Sequence, residues 1–102
     1  TFDAVVVVNY LHRPTFAHLL DVLGPAGTFI YETFAQGNER HGRPRNPDFL
    51  LAPHELLERT HGRLRVVAFE QGEIGTPEHL AVVQRIAGVG WQSPWPPALP
   101  DA

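Results

Sequence analysis

Residues 2–14 read FDAVVVVNYLHRP, and the reading of this stretch decides the fold. Val5 to Val8 form an unbroken β-branched run rather than an alternating one. That pattern predicts a central parallel strand over Asp3 to Asn9 with both faces buried. The run then gives way to Asn9, Tyr10, Leu11 and His12 before Pro14. In an open α/β sheet, ligands bind outside the carboxyl ends of the strands. A polar cluster at the end of an apolar strand is therefore expected to form the rim of a ligand crevice.

Outward from that strand, Pro14 sits where it suits the first turn of a helix. Phe16, Leu19, Leu20 and Leu23 follow at helical spacing, and Gly24 with Pro25 is read as the stop signal. Thr28 to Phe34 reads as a second strand. Such a β-helix-β unit calls for parallel strands and a right-handed crossover. A loop rich in Gly, Arg, Asn and Pro runs from about Ala35 to Asn46. NPDFLLAPHELLERTHG (46–62) then places a short helix after Pro53, through Leu56 and Leu57, closed by Gly62. RLRVVAFEQG (63–72) reads as a third strand, QGEIGTPEH (71–79) as a polar connection, and LAVVQRIAG (80–88) as a fourth strand. With no helix between them, the last two strands are expected to be antiparallel neighbours. The Pro-rich tail from Val89 to Ala102 is expected to be extended or disordered. The fold class is thus α/β: a partial doubly wound sheet of parallel strands ending in an antiparallel hairpin, with residues 1–88 as the folded part. Two helices do not suffice to cover both faces of four strands, so the assembly resembles half of a doubly wound fold.

Bulk properties narrow the function. With 102 residues and 43% hydrophobic content, the chain suffices for one small domain with a core. A net charge of −3 argues against a nucleic-acid binder. The absence of cysteine excludes disulfides, thiolate catalysis and cysteine zinc sites. The longest apolar run, Ala4 to Val8, falls far short of the roughly 20 residues that span a bilayer. No membrane partner is expected. No secretory signal pattern is visible, and a cytoplasmic protein is the default. The chain enters a strand almost at Thr1, which gives the expectation of further sequence upstream.

The candidate site residues gather at the two strand ends. Asn9, Tyr10 and His12 follow the first strand, and Tyr31, Glu32, Thr33 and Phe34 end the second. The segment with Asn46, Pro47, Asp48 and Phe49 leaves the same edge and is placed to close over it. Each also has a plainer role. Asn9 suits a turn, Tyr10 a core aromatic with a wet hydroxyl, His12 a surface loop, and Asp48 a turn within NPD. Glu32 is more telling, since carboxylates at apolar strand ends need a partner; Arg13 is one option. The six histidines lack the i, i+4 spacing of a helical zinc pair, so no metal is expected. Arg40, His41, Arg43 and Arg45 form a small basic loop, a solvated surface unless it faces the crevice. Gly88-Val89-Gly90 lacks the spacing and the following helix of a dinucleotide fingerprint.

FDAVVVVNYLHRP followed by LLDVLGPAGTFIYETF (19–34) resembles the second half of class I S-adenosylmethionine-dependent methyltransferases. In that family an apolar strand is followed by a polar loop, a helix, a Leu-x-Pro-Gly-Gly turn and another strand. The turn here reads Leu23, Gly24, Pro25, Ala26, Gly27, with Ala26 departing from the usual first glycine. NPDFLLAPHELLE (46–58) is similar to the loop and helix of bacterial tellurite-resistance-type and related small-molecule methyltransferases. The resemblance implies a Rossmann-like methyltransferase fold, S-adenosylmethionine as cofactor and a small-molecule methyl acceptor as partner. It puts Asn9 and Tyr10 beside the methionine part and methyl group of the cofactor, and His12, Tyr10 and Glu32 toward the acceptor as catalytic candidates. The family's glycine-rich cofactor loop and ribose-binding acidic residue have no counterpart here, so the chain alone is expected to be inactive. The alternatives are a non-catalytic, truncated methyltransferase-like binding module and, more weakly, half of a nicotinamide-dependent oxidoreductase. The resemblance also leaves one edge of the valine strand without its neighbour, which gives the expectation of self-association through that edge.

Overall fold

A computed structural model of the chain describes residues 1–100. The elements run β1 (Phe2–Val8), α1 (Arg13–Asp21), β2 (Leu23–Phe34), α2 (Glu55–Thr60), β3 (Arg65–Thr76) and β4 (His79–Val89), with 3-10 turns at Asn38–Arg40 and Pro47–Phe49. The strands form one mixed sheet in the order β1-β2-β4-β3. β1 and β2 are parallel, with Val6 opposite Ile30 and Val8 opposite Glu32. The β3–β4 hairpin is antiparallel, as the direct connection between those strands requires, and β4 also pairs antiparallel with β2.

Both helices pack on one face of this sheet. Their apolar residues Phe16, Leu20 and Leu56 share a single core with Phe29 and Tyr31 of β2 and Ile86 of β4. Phe16 meets Tyr31 at a ring-centroid distance of 5.1 Å and Phe29 at 6.1 Å, in the tilted and edge geometries that aromatic quadrupoles favour. One polar side chain is built into this core. Gln84 is fully buried, accepts from the Leu56 N–H (2.7 Å) and donates to the Ala52 carbonyl (2.9 Å). It thereby supplies partners for backbone groups at the start of α2 that the helix cannot satisfy itself.

The opposite face is open, which corrects the expectation that the valine run is buried on both sides. Val5 and Val7 turn toward the helices and are half-buried, whereas Val6 and Val8 are 60% and 55% exposed. A row of charges crosses that face: Arg85 reaches Glu32 at 3.1 Å and Glu70 at 2.8 Å. β1 stands at the sheet edge, paired with β2 alone.

Three boundaries differ from the sequence reading. α1 ends at Asp21, and Leu23 already pairs with Phe2. Gly24 to Gly27 is then an excursion within β2, because the next pair is Ala4 with Thr28. Gly27 fits this bend because a Cβ there would lie 3.1 Å from the carbonyl oxygens of both Asp3 and Gly24. β3 and β4 extend past the expected connection to a turn at Pro77 and Glu78, as a largely exposed two-stranded ribbon. The start of the tail is docked: Gly90 and Gln92 donate to the carbonyls of Gly27 and Pro25, each at 2.9 Å. Arg65 lies 4.8 Å from the Trp91 ring centroid and 5.4 Å from that of Trp95. No helix among the described residues is long and apolar enough to cross a membrane.

Candidate functional site

The carboxyl ends of the two parallel strands open into one crevice. Asn9, Tyr10 and Leu11 line it after β1, Thr33 and Phe34 line it from β2, and Pro44 and Phe49 close it from the long loop, around a cavity of about 340 Å³. Asn9 makes the turn out of the strand. Its φ of 57° is left-handed, a conformation that Asn tolerates better than most residues. Its N–H donates to the Glu32 carbonyl at 2.9 Å, extending the ladder one step past β1. Tyr10 is exposed at the lip, and its carbonyl accepts a hydrogen bond from the Tyr31 hydroxyl. Burial, with a further contribution from Tyr10, pushes the Tyr31 phenol up to about 12, so it stays a neutral donor.

The loop that closes the crevice is fixed from two directions. Asn38 is buried; its side chain donates to the Pro44 carbonyl (3.2 Å) and accepts from the Val82 N–H of β4 (3.0 Å). Arg13, in the first turn of α1, holds the other end. Its guanidinium donates to the carbonyls of Asp48 (3.0 Å) and Leu50 (2.7 Å) and makes a fork to Glu55 at 2.8 and 2.9 Å. Glu55 also accepts from the Ala52 N–H (2.9 Å) and from Arg59 (2.6 Å). Burial alone would raise the Glu55 carboxyl; the hydrogen bonds from Arg13, Ala52 and Arg59 outweigh it and hold it down at about 2. Within the loop, Asn46 accepts from the Asp48 N–H at 2.9 Å, which makes the turn that presents Phe49.

The residues singled out from sequence divide on this geometry. Asn9 and Tyr10 line the crevice. His12 does not: it is the N-cap position of α1, exposed, with its Nδ1 3.0 Å from the Thr15 hydroxyl. Glu32 lies on the open face of the sheet, with Arg85 as its partner, not Arg13. Strand alternation explains this, since Phe29, Tyr31 and Thr33 point to the helices and Glu32 points away. Arg40 and His41 lie against the β3–β4 ribbon, whereas Arg43 and Arg45 line a second cavity of about 570 Å³ that shares Pro44 and Phe49 with the crevice. Sequence reasoning missed Asn38 and the Arg13–Glu55 pair. Arg13 and Glu55 are 42 residues apart, and no local pattern joins them. Among the described residues, no group of three or more His, Cys, Asp or Glu is arranged to hold a metal ion. Neither a protein-family model nor a curated protein matches the chain.

Proposed function

We propose that this chain is the acceptor side of a class I S-adenosylmethionine-dependent methyltransferase that acts on a small molecule. The observation that carries the reading is the single crevice at the carboxyl ends of two parallel strands, lined by Asn9 and Tyr10 where the resemblance puts the cofactor's methyl end. The β-helix-β unit followed by an antiparallel hairpin is the element order that the resemblance implies. The unpaired edge of β1 is where a further strand of such a sheet would lie.

The residues present fit one end of the cofactor. Asn9 offers a side-chain amide, and Tyr10 offers aromatic surface for the methionine part. The chain has no glycine-rich turn or ribose-binding carboxylate for the nucleoside part. When bound, the cofactor supplies an electrophilic methyl group on a sulfonium. The chain's own contribution is positioning: an acceptor held in line in a fixed pocket needs little further help. The loop anchored by Asn38 and Arg13 limits water from one side. Where the acceptor must lose a proton, Tyr10 is the candidate partner within the crevice lining.

Calorimetric titration with S-adenosylmethionine tests this. The 102-residue chain is expected to bind at best very weakly. A longer polypeptide with a strand and a glycine-rich turn ahead of Thr1 is expected to bind it and transfer methyl, with Tyr10→Phe slowing turnover more than it lowers stability. Micromolar binding by the short chain would refute the incomplete site. A longer polypeptide that neither binds nor transfers would refute the whole reading.

A further inference from the structure

The crevice opens onto a basic mouth. The cavity lined by Arg43, Pro44, Arg45, Asn46 and Phe49 shares Pro44 and Phe49 with the crevice, so the two spaces meet at those rings. Arg43 and Arg45 are both exposed, and among the described residues neither forms an ion pair, unlike Arg13, Arg59, Arg63 and Arg85. The only carboxylate between residues 43 and 49 is Asp48, and it forms no ion pair with either arginine among the described residues. Arg43 and Arg45 flank Pro44 on a backbone segment anchored at Pro44 by Asn38 and at Asp48 and Leu50 by Arg13, so the chain that carries them is fixed at the mouth.

We propose that Arg43 and Arg45 bind the anionic group of the acceptor, and that the acceptor is a flat, aromatic carboxylate. Beside Asn9, Tyr10 and Thr33, the crevice lining behind them is apolar, with Leu11, Phe34 and Phe49. It suits a ring, while planar guanidiniums suit a carboxylate. Arg40 belongs to a different surface, beside Glu73 and the ribbon, and takes no part. The inference rests on the crevice being the acceptor site of the proposed methyltransferase, but it does not require the cofactor.

The test uses the full 102-residue chain with benzoate and its neutral isostere benzamide as probes, read by saturation-transfer NMR, which tolerates self-association. Benzoate is expected to bind and benzamide to bind less. Arg43→Gln with Arg45→Gln is expected to weaken benzoate by about fivefold or more, as loss of two exposed charge contacts should. Arg40→Gln is expected to leave it unchanged, and circular dichroism checks that each variant keeps its fold. Equal binding of the two probes, retention of benzoate by the double variant, or its loss in Arg40→Gln overturns the proposal. Failure of the longer polypeptide to bind S-adenosylmethionine, with benzoate discrimination intact, would remove the methyltransferase reading and leave the anion site standing.

Discussion

Replacing Glu55 by Gln removes a charge and little volume at the point where α1, the crevice loop and α2 meet. The Glu55 side chain is 9% exposed, so solvent screens its ion pairs weakly. Its carboxyl falls from an ordinary 4.5 to about 2, roughly 2.5 units, which at about 1.36 kcal/mol per unit is about 3 kcal/mol of stability. The sign follows from a lowered folded-state value. The contribution is fully present above about pH 5, shrinks as the pH falls below 4.5, and is gone below about 2. Glu55→Gln is therefore expected to be less stable than the parent by about 3 kcal/mol at pH 7, and the gap is expected to close toward pH 2. Urea denaturation followed by far-ultraviolet circular dichroism at several pH values measures both. The difference between the two proteins isolates Glu55 from the other carboxylates. A gap that stays constant from pH 7 to pH 2 would mean that the carboxylate is not held by Arg13 and Arg59, and the account of the anchored loop would fall with it.

Three further expectations concern the crevice and the edge. Tyr31→Phe strands the Tyr10 carbonyl and is expected to cost about 1 kcal/mol in the same denaturation assay; an unchanged midpoint would count against the bond. Asn9→Ala is expected to cost about 1 kcal/mol because of its φ of 57°, and Asn9→Gly less; the reverse order would contradict the left-handed turn. The unpaired edge of β1 predicts self-association that Val6→Lys reduces. Sedimentation equilibrium showing a parent that stays monomeric at high concentration would refute it.

The legible parts of the fold were those with dense local signals. The valine run, the helical spacing of Phe16, Leu19 and Leu20, and the apolar strand before Gly88 each announce an element and its neighbours. What misled was context. A continuous apolar run is the same whether one face or two are covered, and only the placement of both helices on one side leaves Val6 and Val8 open. Gly24 with Pro25 is a stop signal for α1 and also a bend inside β2, two outcomes one dipeptide permits. QGEIGT reads as a connection because its residues are polar, yet an exposed ribbon has no need of an apolar face. At the strand ends, the parallel pairing of β1 and β2 follows from the β-helix-β pattern, and it brings Asn9, Tyr10 and Phe49 to one cavity. Position along β2 brings Glu32 to the same end, and strand alternation turns its side chain to the opposite face, beside Arg85. The anchors Asn38 and Arg13 act across long separations in sequence, where spacing carries no information.

The two tryptophans of the chain, Trp91 and Trp95, both lie against the guanidinium of Arg65 in the final segment. Intrinsic emission at long wavelength therefore watches the last residues and not the aromatic cluster of Phe16, Phe29 and Tyr31 beneath the helices. An emission-monitored unfolding curve would track release of the tail from β2, and a dichroism-monitored one would track the sheet. Disagreement between two probes is ordinarily taken as the mark of a populated intermediate. In this protein it would arise from a terminal strap letting go of an otherwise intact domain.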